Sequence, residues 1–112
     1  RINGTATPTS VDNPTEPVLP ADYALGQNYP NPFNPSTRID YSVPVNSNIN
    51  IEVFNIIGQK VKTLVDGNAV AGNHSVTWNG TSENGSKVSS GVYFYRLSVE
   101  DEVFVKRMTF TK

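Results

Sequence analysis

From Ser36 to the C-terminus, apolar and polar residues alternate with a period of two. Ile39, Tyr41 and Val43 alternate with Arg38, Asp40 and Ser42, and Ile49, Ile51 and Val53 alternate with Asn50, Glu52 and Phe54. Val76 and Trp78 follow the same rule, as do Tyr93, Tyr95, Leu97 and Val99. Phe104, Met108 and Phe110 form a last set, which Lys106 interrupts. Successive side chains of a strand point to opposite faces, so each run describes a strand with one face buried. No window carries the stripe of a helix. Turn signals separate the runs: Ile57-Gly58, Asp66-Gly67-Asn68, Ala71-Gly72-Asn73, Asn79-Gly80, Asn84-Gly85 and the acidic Glu100-Asp101-Glu102. Glycine and asparagine tolerate the positive φ of tight turns. Six strands are clear, one of them around Gln59 to Val65, and a seventh is expected around Tyr23 to Asn28. Short strands broken by frequent turns predict an all-β, antiparallel immunoglobulin/fibronectin-III-like sandwich of about seven strands, with Trp78 as its central aromatic.

All eight prolines lie at or before Pro44 and form two groups of different character. Pro8, Pro14, Pro17 and Pro20 stand among Thr, Ser, Asn and Asp, so residues 1–20 have the composition of a flexible linker and residues 21–112 that of the folded domain. Gln27-Asn28-Tyr29-Pro30-Asn31-Pro32-Phe33-Asn34-Pro35 alternates proline with asparagine. Proline restricts both itself and the residue before it, and asparagine bonds to nearby backbone, so this segment is expected to be extended and specific in shape. Tyr29 and Phe33 are expected to anchor it on the domain.

Charge and chemistry exclude several function classes. Nine basic and ten acidic residues leave a net charge of −1, with no surplus to neutralise phosphates, so nucleic-acid binding is not expected. No apolar stretch is long enough to span a membrane. There is no cysteine, hence no disulfide, thiolate metal site or cysteine nucleophile. His74 is the single histidine and is expected to be structural; Ser75 beside it points to the opposite face of the strand, so the two form no dyad. Asp40 and Glu52 could meet across neighbouring strands, but on the solvated face. No cofactor is expected. Calcium is the one candidate metal, at Glu100-Asp101-Glu102 or in the oxygen-rich loop from Asn79 to Ser86. Most aromatics share the apolar parity of their strands and read as core; Tyr23 could be exposed, and Phe54 and Phe94 stand on the opposite parity, where they cover a second face or form a contact patch. Asn3, Asn73, Asn79 and Asn84 fit the glycosylation pattern but serve equally as turn residues. The chain begins at Arg1 without a signal-peptide pattern, and is read as part of a longer protein.

Several blocks, in order, carry a resemblance. Leu25-Gly26-Gln27-Asn28-Tyr29-Pro30-Asn31-Pro32-Phe33-Asn34-Pro35-Ser36-Thr37, then Ile39 to Pro44, then Val53 to Val61 around Gly58, resemble the opening motifs of type A C-terminal sorting domains of the type IX (Por) secretion system. Ala71 to Gly80, with Trp78 and Gly80, and Ser90-Gly91-Val92-Tyr93-Phe94-Tyr95-Arg96-Leu97 resemble the family's later blocks, and Lys106 to Lys112 its basic, alternating terminus. Asn79 and Thr109 depart from the residues usual there. The resemblance implies a non-catalytic address domain. It would be carried across the inner membrane with an upstream cargo domain, then read in the periplasm by the outer-membrane type IX machinery. A surface sorting peptidase would remove it, leaving the cargo at the cell surface or in the medium. Asn28, Pro30, Asn31, Pro32, Phe33, Gly58, Trp78 and Gly80 would be its structural motif residues, and Gly91, Val92, Tyr93, Lys106 and Lys112 its signal elements. The last strand, Val103 to Thr111, is expected at a sheet edge, which offers unpaired backbone to a partner and could also pair two copies. Two other readings compete: a carbohydrate-binding sandwich, which requires a row of exposed aromatics, and a structural spacer like the immunoglobulin-like domains of flagellar hook-capping proteins.

Overall fold

The computed structural model describes residues 20–111. These form seven strands and no helix: β1 (Ala24–Leu25), β2 (Thr37–Val43), β3 (Ser47–Phe54), β4 (Lys60–Ala69), β5 (Gly72–Trp78), β6 (Gly91–Ser98) and β7 (Val103–Phe110). Two antiparallel sheets pack face to face. One has the order β1-β2-β5 and the other β4-β3-β6-β7. The expected sandwich is therefore the fold. The seventh strand is the short β1, which pairs Ala24 with Ser42 and Leu25 with Tyr41.

The period-two pattern buries the predicted faces. Thr37, Ile39, Tyr41 and Val43 of β2, Ser47, Ile49, Ile51 and Val53 of β3, and Tyr93, Tyr95 and Leu97 of β6 turn inward and are buried. Trp78, Met108, Phe110, Phe33, Leu25 and Ala69 complete the core. Burying such side chains contributes roughly 1.5–3 kcal/mol each, and with no disulfide available this core holds the two sheets together.

Four expectations are corrected. β4 does not stop near Val65: it continues through Asp66, Gly67 and Asn68, which pair with Asn50, Ile49 and Asn48 of β3. The available ladder overrides the turn preference of those residues, and the register shifts of this strand pair lie farther along, at Ile51/Glu52 and Val53/Phe54. Gly72 and Asn73 likewise open β5 instead of turning, so the reversal lies at Val70-Ala71. Asp40 and Glu52 are not neighbours, because β2 and β3 belong to different sheets; Asp40 pairs with Arg38, and Glu52 with Arg96 at 2.8 Å. Tyr23 is half-buried, its hydroxyl 2.7 Å from Ser47 Oγ. The linker expectation for residues 1–20 falls, except for Pro20, outside the described residues.

Phe54 and Phe94 do cover the second face. They oppose each other across β3 and β6, and the Arg96 guanidinium lies 4.7 Å from the centre of the Phe54 ring. His74 has a structural setting: its ring stacks on Tyr41 at 5.3 Å and its Nε2–H donates to the Val70 carbonyl at 2.7 Å.

Candidate functional site

β7 is an edge strand of the four-stranded sheet, as its pattern predicts. An edge strand presents alternate N–H and C=O groups to solvent. Here the C-terminal half of that edge is occupied by the Pro-Asn segment. Gln27 Nε2–H donates to the Arg107 carbonyl at 2.8 Å, and Thr109 N–H donates to Asn31 Oδ1 at 3.0 Å. Phe33 N–H donates to the Thr109 carbonyl, and Thr111 N–H returns to the Phe33 carbonyl, both at 2.9 Å. Residues 27–33 thus form a clasp along the strand end, crossing from the opposite sheet through a Tyr29–Arg38 bridge and finishing in a parallel Phe33–Phe110 bridge.

The clasp is fastened from within. Phe33 is 1% exposed and stacks on Phe110 at 4.9 Å, tilted against Trp78 at 5.6 Å. Tyr93 meets Trp78 edge-on at 5.3 Å. Gly80, at φ +75, lies directly under Phe110: a Cβ there would stand 2.9 Å from Phe110 Cζ. Trp78 Nε1–H donates to the Thr81 carbonyl, fixing the loop that carries Gly80. Asn28 is buried, and its backbone N–H donates to the Tyr95 hydroxyl at 2.8 Å, while that hydroxyl donates to the Gly26 carbonyl at 2.7 Å. The Asn28 side chain donates to Thr37 Oγ1 and to the Pro30 carbonyl, which Thr37 also reaches. Desolvation pushes the Tyr95 phenol up to about 12, and raises Tyr41 and Tyr93 above their ordinary value.

Four sequence blocks far apart in the chain therefore converge: Asn28 to Phe33, Trp78 with Gly80, Tyr93 with Tyr95, and Phe110. Phe33 anchors as expected, but Tyr29 does not. Its backbone pairs with Arg38 while its side chain is 78% exposed, since alternation puts it on the outer face. Pro32 and Asn31 are exposed on the outside of the clasp. Gly58 sits at φ +88 in the β3–β4 turn, away from this site, where Asn55 Oδ1 accepts the N–H groups of Ile57 and Gln59. That turn holds Ile56 and Ile57 70% and 73% exposed.

The expected signal elements separate into two kinds. Tyr93 is buried, its hydroxyl donating to the Ser89 carbonyl. Gly91, at φ +148, opens β6 opposite Phe110, with Val92 half-buried beside it opposite Thr109. Lys106 is half-buried on the core-facing parity of β7, opposite Tyr95, and Arg107 stands on the outer face. Lys112 lies outside the described residues. The residues that sequence reasoning missed are the clasp's donors and acceptors, Gln27 and Tyr95. An inward-facing tyrosine needs a partner for its hydroxyl, which was the one available signal.

The polar side chains of one calcium candidate bond to one another. In the loop from Asn79 to Ser86, Thr81 donates to Asn79 Oδ1, and Asn84 Oδ1 accepts from Ser82 Oγ and Ser86 N–H. Among the described residues, no three His, Cys, Asp or Glu side chains are grouped to hold a metal ion. No helix there is long and apolar enough to cross a membrane. Tyr29 is the only aromatic among the exposed large apolar side chains of the described residues.

A family model described as the FlgD Ig-like domain matches residues 36–102, more than half of the 112. The chain belongs to the FlgD Ig-like domain family. The Ig-like match begins after the clasp and ends just before β7, so the clasp and β7 lie outside it, whereas Trp78, Gly80, Tyr93 and Tyr95 lie within it. No curated protein matches the chain. Solved structures share the fold, among them two from one organism. Dimeric latent PorU from Porphyromonas gingivalis is 22% identical, with a TM-score of 0.63 over 80% of this chain. PorZ, described as an essential bacterial surface component of the type-IX secretion system of the same organism, is 17% identical, with a TM-score of 0.54 over 80% of this chain. The chain spans only 9% and 11% of the length of these two proteins.

Proposed function

We propose that this Ig-like domain is the C-terminal address of a larger exported protein, read by the outer-membrane type IX secretion machinery and afterwards removable by a surface sorting peptidase. It performs no catalysis and needs no cofactor. Its cargo domain lies upstream, passes through the periplasm and ends at the cell surface or in the medium. The observation that carries the reading is the clasp: a Pro-Asn segment and a terminal strand, both outside the residues that match the Ig-like model, are bonded to each other. A spacer needs no device to hold its last strand end in a fixed shape, whereas an address does. The likeness in fold to domains of PorU and of PorZ, a type-IX surface component, supports the same reading.

The family match favours a second reading, a structural spacer between or beyond other domains. One experiment separates them. A signal peptide and a stable fluorescent protein are fused to residues 21–112 and expressed in a host with a working type IX system. The same fusion lacking residues 103–112, and a secretion-deficient host, serve as comparisons. Surface or medium fluorescence only with the full tail in the competent host is the expected result. Reporter retained in the periplasm in every case would leave the spacer.

A further inference from the structure

The clasp covers only one half of the β7 edge. In the other half, among the described residues, nothing pairs with the outward N–H and C=O of Val103 and Val105 or with the N–H of Arg107. Val103 and Val105 are 60% and 56% exposed there. This open stretch reads Asp101-Glu102-Val103-Phe104-Val105-Lys106-Arg107, and it is charge-complementary to its own reverse. About Phe104 as the centre, valine meets valine, Glu102 meets Lys106 and Asp101 meets Arg107.

We propose that the open half of β7 is a self-recognition edge, on which β7 of a second copy pairs antiparallel about a two-fold axis at Phe104. Residues directly opposite in an antiparallel ladder share the same hydrogen-bonding phase. Centring on Phe104 sets the outward groups of Val103 against those of Val105 of the second copy, so each pair exchanges both bonds. On the core-facing side, Phe104 lies against Phe104, and Lys106 faces a Glu102 carboxylate. On the outer side the valines oppose each other and Arg107 approaches Asp101. Centring on Val105 instead would set Lys106 against Phe104 and leave Glu102 without a partner.

Lys106 chooses the occupant. An inward-facing lysine on an edge strand ordinarily keeps other strands away, because pairing would strip its water without giving it a counter-charge. A second copy supplies that charge in register, and a strand with an apolar or basic residue at that point does not. The two-fold axis satisfies the condition that residue i meets j and j meets i. The result joins two four-stranded sheets edge to edge and covers the stretch of terminal strand that the clasp leaves open. A single strand pair is at the small end of protein interfaces, so the dimer is weak and concentration-dependent. The inference stands on the edge geometry and does not depend on the export role.

Sedimentation equilibrium of the whole chain over a wide concentration range tests it, with circular dichroism melts to establish that each variant is folded. The N–H of Val105 points away from β6, so Val105→Pro removes a donor that the fold does not use, and it abolishes the dimer while the melt remains cooperative. Glu102→Lys and Lys106→Glu each weaken self-association at least tenfold, and an equimolar mixture of the two variants restores a dimer, now mixed. A chain that stays monomeric at millimolar concentration, a dimer indifferent to Val105→Pro, or single variants that fail to complement would each overturn the proposal. Hydrogen exchange at Val103 and Val105 is slowed only as concentration rises. Slow exchange that is independent of concentration and lost on removing residues 1–19 would assign the edge to that segment instead and equally overturn it.

Discussion

Tyr29 and Phe33 belong to one motif and are both aromatic, yet truncating them has opposite consequences. Phe33→Ala removes a side chain that is 1% exposed and held between Phe110 and Trp78. The lost transfer energy of a buried phenylalanine is about 2–3 kcal/mol. Two aromatic contacts add about 0.5–1.5 kcal/mol each, so the total is about 4 kcal/mol, within the range of buried Phe→Ala changes. A domain of this size holds on the order of 5–15 kcal/mol in all. Phe33→Ala therefore removes a large part of its stability. It also loosens the clasp, because the Phe33 backbone makes both bonds to Thr109 and Thr111. Tyr29→Ala removes a side chain that is 78% exposed, and costs no more than about 0.5 kcal/mol. Urea unfolding followed by the fluorescence of Trp78, the only tryptophan, measures both. The expected result is a midpoint lowered by about a quarter to four fifths for Phe33→Ala with an unchanged slope, and a midpoint for Tyr29→Ala close to that of the parent chain. Equal losses for the two variants, or a loss below about 1 kcal/mol for Phe33→Ala, would refute the assignment of the anchor.

Gly80→Ala combines a positive φ with a Cβ 2.9 Å from the Phe110 ring, and is expected to cost about 2–4 kcal/mol by the same unfolding assay. Gly58→Ala has nothing within 4 Å and is expected to cost only the about 1–2 kcal/mol of the left-handed conformation. Tyr95→Phe strips the bond partner from the Asn28 N–H and the Gly26 carbonyl, and is expected to lower stability by about 1–3 kcal/mol while raising the exchange rate of the Asn28 amide. The phenol of Tyr95 binds its proton more tightly folded, at about 12, than unfolded, near 10, so its contribution is complete below the unfolded value and is lost as pH climbs from about 10 to about 12. An absorbance titration of tyrosinate should show Tyr95 ionising only as the domain unfolds in that window, and Tyr95→Phe should weaken that coupling, leaving the share of Tyr41 and Tyr93.

Strands, their buried parity and the sandwich were legible in the sequence because they depend on local alternation. The identities of Ile39, Tyr41, Ile51, Tyr95 and Leu97 declare a face without reference to any neighbour. The turns at Gly58, Gly80 and Gly85 were legible for a similar reason: each needs a positive φ at one residue, and glycine supplies it. Failures occurred where a partner decides. Asp66-Gly67-Asn68 has the composition of a turn but lies in β4, because β3 offers it a ladder. Tyr29 and Phe33 look alike in the chain, and only the position of Trp78 and Phe110 makes one an anchor and leaves the other in solvent. The sheet to which each strand belongs was equally hidden, which is why Asp40 and Glu52 were set side by side.

By itself, then, the amino-acid sequence determined the class of fold and the inward residues, which follow from the alternation within each strand. Tertiary structure alone decided that the Pro-Asn segment closes over the end of that strand, that Tyr95 secures it from beneath, and that the stretch from Val103 to Arg107 stays open among the described residues. These are contacts between residues 67 to 80 positions apart. No local preference encodes such contacts, because the groups that satisfy one another meet only when the two sheets close.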